Sequence, residues 1–451
     1  MLQTNINLLP QYKNNTIIRN MTKYDLIVTG GGTAGCAAAY IAGKSGLKTL
    51  IIEKNIHLGG TITSALVVPV MKSGEHQINT DFYNDFVSEM HNAGAQVTYQ
   101  NNSGWFNPEI AKIVLDKMMS DAGVEVFFDT HILSVERTNR TIKSVTIPKE
   151  IFSSCNSDTK CPKISIETKY LIDATGNCEI AKLCGCDLFE EDEQPVSLRF
   201  MMGGIDLNRF SEWLLSIDKD RNVTTSEIID GAVHLSTAYT WDKTKNWALS
   251  PLFEEAKRKR ILEKHDANYF QIFTAAGMPD TVAFNCPRMV DYKDTLKVKN
   301  MSKALTAGRQ SILRLANFCK IYFPGFENAY ISNIADMPGI RVSRRLKGKY
   351  ITTIDDIKNG KKFEHPVVIS NYPVDVHSRK KNSSTLDIMH DYQLPSESLM
   401  TKEYDNLFVI GRCLSADFKA QAALRVQASC FSMGEGIAKY IALQELSRHP
   451  L

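Results

Sequence analysis

Apolar residues fall along the chain in short runs separated by glycine-rich turns and by stretches of helical period. That order predicts an α/β protein. Residues 24–29 (YDLIVT) form an apolar run ending in glycines, a small-residue helix is predicted from about Ala34 to Lys44, and 48–52 (KTLII) is apolar again. Strand, tight turn, helix and strand in about thirty residues make one βαβ unit. Residues 107–122 predict a helix with Asn107 as N-cap and Pro108 at its first position. Gly123 ends it, and VEVFF at 124–128 resumes strand. Three alternating segments, 131–137, 141–147 and 163–173, predict an antiparallel meander, with the polar, turn-rich 151–162 as an exposed hairpin tip. From 191 to 400 the pattern is mixed, with a helix predicted at 302–320 and strands that cannot be placed. A strand at 406–410 ends in Gly411, and a helical stretch at 426–445 closes the fold. There is no internal repeat and no low-complexity tract.

At 451 residues the chain exceeds the size at which one core stops growing, so two intertwined domains are expected. The 43% hydrophobic and 23% charged residues are those of a globular protein. A net charge of +3 gives no support to a nucleic-acid or membrane-surface partner. No apolar run of about 18 residues predicts a membrane span. Residues 1–22, rich in Asn and Thr, read as a flexible leader rather than a secretory signal, with Met21 a natural start. The ten cysteines suggest no disulfide framework, so reduced thiols and a cytoplasmic location are expected. Cys178, Cys184 and Cys186 lack the paired spacing and nearby His of a zinc site, and no metal is expected.

The strongest motif is Gly30-Gly31-Gly32-Thr33-Ala34-Gly35, between a strand and a helix. Gly30 permits the tight turn, Gly32 lets backbone approach a pyrophosphate, and Gly35 lets the helix pack closely on the strand. Amides at the helix start then face the phosphates. Ala39 and Gly46 continue the small-residue pattern, and Glu53 ends the second strand at the spacing of a ribose-binding acid. Glu53 alone does not separate FAD from NAD. Three later stations favour FAD: Gly59-Gly60-Thr61, Asp173-Ala174-Thr175-Gly176, and Gly411-Arg412 at the end of a strand.

With these residues the chain resembles the FAD-dependent oxidoreductases of the glutathione-reductase-like two-domain superfamily, most closely a broad bacterial group. The matching stretches include GGGTAGCAAAYIAGKSGLKTLIIEK, YLIDATGNCEIA, PGIRVSRRLKGKYITTIDDI and GRCLSADFKAQAALRVQASCFSMGEGIA. The resemblance implies a Rossmann-type FAD-binding domain of parallel sheet, helices and β-meander, over 23–190 and 401–451. An α+β substrate domain, 191–400, is inserted, with 62–106 contributing to the substrate side. It implies Glu53, beside Lys54, on the adenosine ribose and Ile132 near the adenine. It also implies that the segment 426–434, with Val426 and Ala428, presents amides to the flavin pyrimidine, where negative charge develops on reduction. One departure stands out: many members carry Gly-Asp where this chain has Gly411-Arg412.

Absences narrow the reaction. No Cys-x4-Cys follows Gly60, which speaks against a dithiol relay, and no second GxGxxG opens a built-in NADPH domain. The expected chemistry is hydride transfer between the flavin and a small polar substrate, anionic or neutral, with an unidentified electron donor or acceptor. A flavin monooxygenase using external NADPH and an FAD-containing RNA-modifying or RNA-binding protein are the alternatives. The resemblance points to pocket segments Asn285 to Arg288, Arg341 to Arg345 and Cys413 to Arg425. Asp417 is the candidate acid or base; its other reading is a helix cap or a partner for Arg425. Arg341, Arg344 and Arg345 either clamp an anion or form a solvated basic face. Arg425 and Arg345 complete the candidate catalytic set. Cys36 sits at a helix start that would lower a thiol pKa, though packing is the favoured reading. Cys413, which the resemblance brings near the flavin ring, is the better redox candidate, with packing again favoured. His377 and His390 receive no role.

Overall fold

A computed structural model describes residues 23–150, 163–191, 194–240, 247–377 and 384–448. The leader 1–22 and the hairpin tip 151–162 lie outside the described residues. The chain opens with strand β1 (Tyr24–Thr29), helix α1 (Thr33–Lys44) and strand β2 (Thr49–Ile52). Helix α2 (Pro108–Asp121) and strands β3 (Glu125–Phe127), β4 (Ser134–Thr138), β5 (Thr141–Pro148) and β6 (Lys163–Asp173) follow. Next come β7 (Phe200–Gly203), β8 (Thr225–Ile229), β9 (Ala232–Thr240), β10 (Tyr269–Ala275), β11 (Met278–Phe284), helix α3 (Val298–Tyr322) and β12 (Tyr330–Ile334). Strand β13 (Leu407–Val409), helix α4 (Phe418–Leu424) and helix α5 (Gln427–Arg448) close the fold.

The first sheet runs β3-β2-β1-β6-β5-β4, with β13 on the other side of β6. Strands β3, β2, β1, β6 and β13 are parallel, and β6, β5 and β4 form the expected antiparallel meander. Strand β6 serves both halves. Its first residues alternate in exposure, as a half-covered antiparallel strand does, whereas Tyr170 to Asp173 are buried throughout between β1 and β13. Helix α2 starts as expected: the Asn107 side chain accepts the Glu109 amide at 2.9 Å, and Pro108 needs no partner for a missing N–H.

Helix α1 is built of small residues because it is covered on two sides. Ala37, Ala38 and Ala39 are fully buried, and α5 packs so closely that a Cβ on Gly434 would lie 2.2 Å from the Ala34 carbonyl oxygen. A larger residue at either position would force the helices apart.

Within the stretch whose strands could not be placed lies a second sheet, antiparallel, ordered β8-β9-β10-β11-β7-β12. Its β10 alternates cleanly: Phe270 and Ile272 point into the core, where Phe270 meets Phe318 of α3, while Tyr269, Gln271 and Phe273 face a large cavity. Burying each such aromatic or aliphatic side chain is worth about 1.5–3 kcal/mol. That apolar face holds the sheet and frees its other face for a ligand. No helix among the described residues is long and apolar enough to cross a membrane.

Candidate functional site

The two sheets share one cavity of about 1030 Å³, at the upper end of what small-molecule sites usually occupy. One stretch of its wall is the β1–α1 turn. Gly30 has φ +94°, and its Cβ position lies 2.7 Å from the Ala174 carbonyl oxygen, so no other residue fits the turn. Helix α1 begins at Gly32 with no side-chain cap and no acid in its first turn. Its first amides are therefore left for a ligand anion, together with the helix dipole. Gly32, Thr33, Ala34, Gly60 and Thr61 line this part, and the Thr33 and Thr61 hydroxyls lie 2.9 Å apart.

Glu53 ends β2 in the same wall and is only 4% exposed. Its Oε2 accepts the Gly31 amide at 2.6 Å, and its Oε1 accepts the Asn55 backbone amide at 2.8 Å and the Asn55 side chain at 2.7 Å. Burial pushes its pKa up, while the amides of Asn55 and Gly31 pull the other way. Lys54, paired with Glu179 at 3.2 Å, and Ile132 complete the wall beside it.

Ala174, Thr175 and Gly176 also line the cavity, on a turn held by the fully buried Asp173. Asp173 accepts the Thr175 hydroxyl at 2.6 Å and the amides of Ile180 and Ala181 at 2.9 Å. Gly411 and Arg412 lie opposite that turn. The Arg412 guanidinium donates to the carbonyls of Gly176 at 2.6 Å and Ile340 at 2.8 Å, and to Asn177 Oδ1 at 3.0 Å. Arg412 is a cation that ties three wall segments together. Val426 and Gln427 line the wall at the start of α5.

The remaining candidates divide. Gly35 is not on the wall; it packs α1 against Gly30. Ala428 is buried behind the wall. Asp417 does not reach the cavity and takes its other reading, the helix cap. Its two oxygens accept the amides of Ala420 at 2.8 Å, capping α4, and of Ile354 at 2.7 Å. Arg345 is likewise corrected: at 1% exposure it pairs with Glu191 at 2.6 Å and donates to the Ala416 carbonyl at 2.6 Å, away from the cavity. Arg344 pairs with Glu190 at 2.8 Å on the surface. Both belong to the strand Arg344–Leu346, which pairs with Leu188–Glu190.

Arg425 and Arg341 do reach the cavity. Of the 285–288 segment only Asn285 does, although Arg288 stacks on the ring of Tyr269 at 3.4 Å, behind the wall. The thiols follow the packing reading. Cys36 donates to the Gly31 carbonyl, and burial pushes its pKa up to about 12, opposite to an activated thiol. Cys413 Sγ accepts the Cys178 amide at 3.0 Å behind the wall. Among the described residues, no group of three or more His, Cys, Asp and Glu could hold a metal ion.

The structure adds residues that the pattern along the chain did not mark: Arg199, Tyr269, Gln271, Tyr372, Asp375 and His377 all face the cavity. His377 Nε2 donates to Asp375 Oδ2 at 2.9 Å, and the same carboxylate lies 3.5 Å from Arg425. His390 bonds the Ile357 carbonyl at 3.0 Å elsewhere. The only signal for the pair was the Val-Asp-Val-His alternation at 374–377, which points Asp375 and His377 to one side.

A tight glycine turn, an open helix start and a buried acid at the end of β2 thus share one wall of the cavity. The family model of FAD-dependent oxidoreductases matches residues 25–448. The chain belongs to that family. A dihydrolipoyl dehydrogenase of Bacillus subtilis (strain 168) is 22% identical over 368 residues, covering 76% of this chain and 69% of the relative. Digeranylgeranylglycerophospholipid reductase 3 of Methanosphaera stadtmanae is 30% identical over 132 residues, 26% of this chain and 33% of that protein. Among solved structures, a geranylgeranyl bacteriochlorophyll reductase-like protein from Thermoplasma acidophilum aligns with TM-score 0.46 and 14% identity, covering 95% of this chain and 80% of the other. The chain is an FAD-dependent oxidoreductase, and the uncapped start of α1 on the cavity wall fits the pyrophosphate of that cofactor.

Since Asp417 caps α4, Asp417→Ala should cost about 1 kcal/mol of stability. Flavin content and the rate of flavin reduction by dithionite should stay unchanged. A loss of flavin with no loss of stability, read by absorbance and thermal melting, would restore Asp417 to the site.

Proposed function

We propose that this FAD-dependent oxidoreductase transfers a hydride between a small anionic molecule and its flavin. The observation that carries this reading is the cluster of Arg199, Arg341 and Arg425 on the cavity wall, beside the polar face of β10. Guanidinium forks match carboxylates in shape and charge. FAD supplies the hydride chemistry; the protein positions the substrate and excludes water. In this reading 23–190 and 401–451 hold FAD. Residues 191–400, with part of 62–106, form the substrate side, supported by cavity residues as far apart as Tyr99, Tyr269 and Tyr372.

The chain carries no dithiol after Gly60 for a disulfide relay, so in this reading the flavin exchanges electrons with the substrate on one side and with an unidentified donor or acceptor on the other. The test begins with the absorption spectrum of the purified protein before and after acid precipitation. The bands of oxidised flavin should move to the supernatant. Anaerobic mixing with 2-hydroxy and 2-amino acids should then bleach them, whereas neutral alcohols and amines should not. Bleaching by NADPH, followed by rapid NADPH consumption in air, would favour a monooxygenase instead.

A further inference from the structure

The arginines of the cavity are not equally provided for. Arg425 has Asp375 at 3.5 Å. Arg341, 8% exposed, donates to the Pro195 carbonyl at 2.9 Å and the Ser197 hydroxyl at 3.4 Å. Arg199, 9% exposed, donates to the Leu66 carbonyl at 3.3 Å, and its buried Nε has no partner. Neither Arg199 nor Arg341 forms an ion pair among the described residues. Asp375, the carboxylate whose charge reaches Arg341, is already shared between His377 and Arg425.

Two buried guanidinium charges held only by neutral oxygens are costly, because such groups give up water without gaining a counter-charge. The electrostatics show that cost. Burial pulls the Arg199 pKa down to about 10, with Arg288 adding to the effect. Burial pulls Arg341 well below its usual value, and the charges of Arg288, Arg425 and Arg199 push it the same way. Arg199 and Arg341 are thus close enough to repel, and both line one cavity. In the reading above the open start of α1 takes the phosphates of FAD, which leaves this charge for another anion.

We propose that the substrate carries two carboxylates, one received by Arg199 and the other by Arg341. The inference rests on the oxidoreductase reading above and narrows its anion to a small dicarboxylate. Each carboxylate would take a fork of N–H donors now given to weaker acceptors or to none. The neutral polar groups Gln271 and Asn285 on the same wall are joined at 2.8 Å and leave the charge balance unchanged. A dianion would cancel the repulsion between the two arginines, so its second carboxylate adds affinity that a monocarboxylate of the same length cannot reach.

The test uses the flavin-loaded protein with malonate, succinate and glutarate, against acetate, butyrate, phosphate and chloride at matched ionic strength. Binding is read from the perturbed flavin spectrum and from the shift in melting temperature. At least one dicarboxylate should bind about tenfold or more tighter than every monoanion and than phosphate. Arg199→Met and Arg341→Met should each bring that dicarboxylate down to the monocarboxylate level while keeping flavin. Arg341→Lys, which keeps the charge and loses the fork, should fall between and guards against a variant that does not fold. Equal binding of mono- and dicarboxylates, tighter binding of phosphate, or no binding to a yellow protein each overturns the inference and leaves the FAD reading standing. A protein that holds no flavin would instead remove the reading beneath it.

Discussion

Gly35→Ala is expected to yield protein without flavin. A Cβ at Gly35 would sit 1.9 Å from the Gly30 carbonyl oxygen and 3.2 Å from the Ala174 side chain. The first contact is with backbone, so no rotamer change relieves it. Gly30 cannot retreat, because its own Cβ position is 2.7 Å from the Ala174 carbonyl oxygen and its φ is +94°. Helix α1 cannot retreat either, since α5 meets it from the other side at Gly434. Any relaxation must lift the start of α1 off β1 and turn its amides away from the pyrophosphate. Gly46→Ala is the matched control. Its φ is +83°, but nothing lies within 4 Å of a Cβ there, so it should lose about 1 kcal/mol and keep its flavin. The ratio of flavin to protein absorbance in the soluble fraction decides the matter. Full FAD occupancy in Gly35→Ala would refute the packing argument.

The same contact explains why the cofactor half was legible in the sequence. A close approach of backbone to backbone admits only glycine, so Gly30 and Gly35 declare it locally, and Glu53 follows at a distance set by one helix and one strand. The substrate half has no such constraint. Tyr269, Gln271 and Phe273 belong to a strand buried on one face by aromatic packing and on the other by a cavity, which blurs the period-two signal. The arginines show the limit most sharply. Arg341, Arg344 and Arg345 sit within five residues, yet only Arg341 enters the cavity, because pairing of the strand Arg344–Leu346 with Leu188–Glu190 carries the other two away. That pairing joins segments some 150 residues apart and leaves no local trace. Asp417 was ambiguous for a different reason: a short acid before FKAQAAL satisfies both a cap and an active site. Only the positions of Ala420 and Ile354 separate the two.

Asp375→Asn should be the most destabilising single change on the substrate side. Breaking a fully buried ion pair by removing one partner typically costs about 3–5 kcal/mol, since the other charge stays behind. This partly exposed pair, with Arg425 14% and Asp375 20% exposed, should lose the lower part of that. Here Arg425 would lose its carboxylate and Arg341 the nearest negative charge. The dependence on pH adds a second signature. Burial pushes the Asp375 carboxyl up, but the His377 hydrogen bond and the charges of Arg425 and Arg341 outweigh it and hold the group well below 3.8. Burial and the charges of Arg341 and Arg288 hold His377 well below 6.5, against the pull of Asp375. Both depressed values act in one direction. As pH falls below 6.5 the unfolded chain takes up a proton on His377 that the folded chain refuses, so stability drops by up to about 1.4 kcal/mol per pH unit. Below 3.8 the stabilisation from ionised Asp375 is lost as well. Asn at 375 removes the second loss and keeps the first. The gap between the two proteins should therefore be constant from pH 8 to about 5 and narrow only in stronger acid. Melting temperatures across that range, with imidazole NMR following His377, would show it. A His377 that titrates near 6.5 in the folded protein, or a variant as stable as the parent at neutral pH, would mean that Asp375 does not hold this charge cluster together.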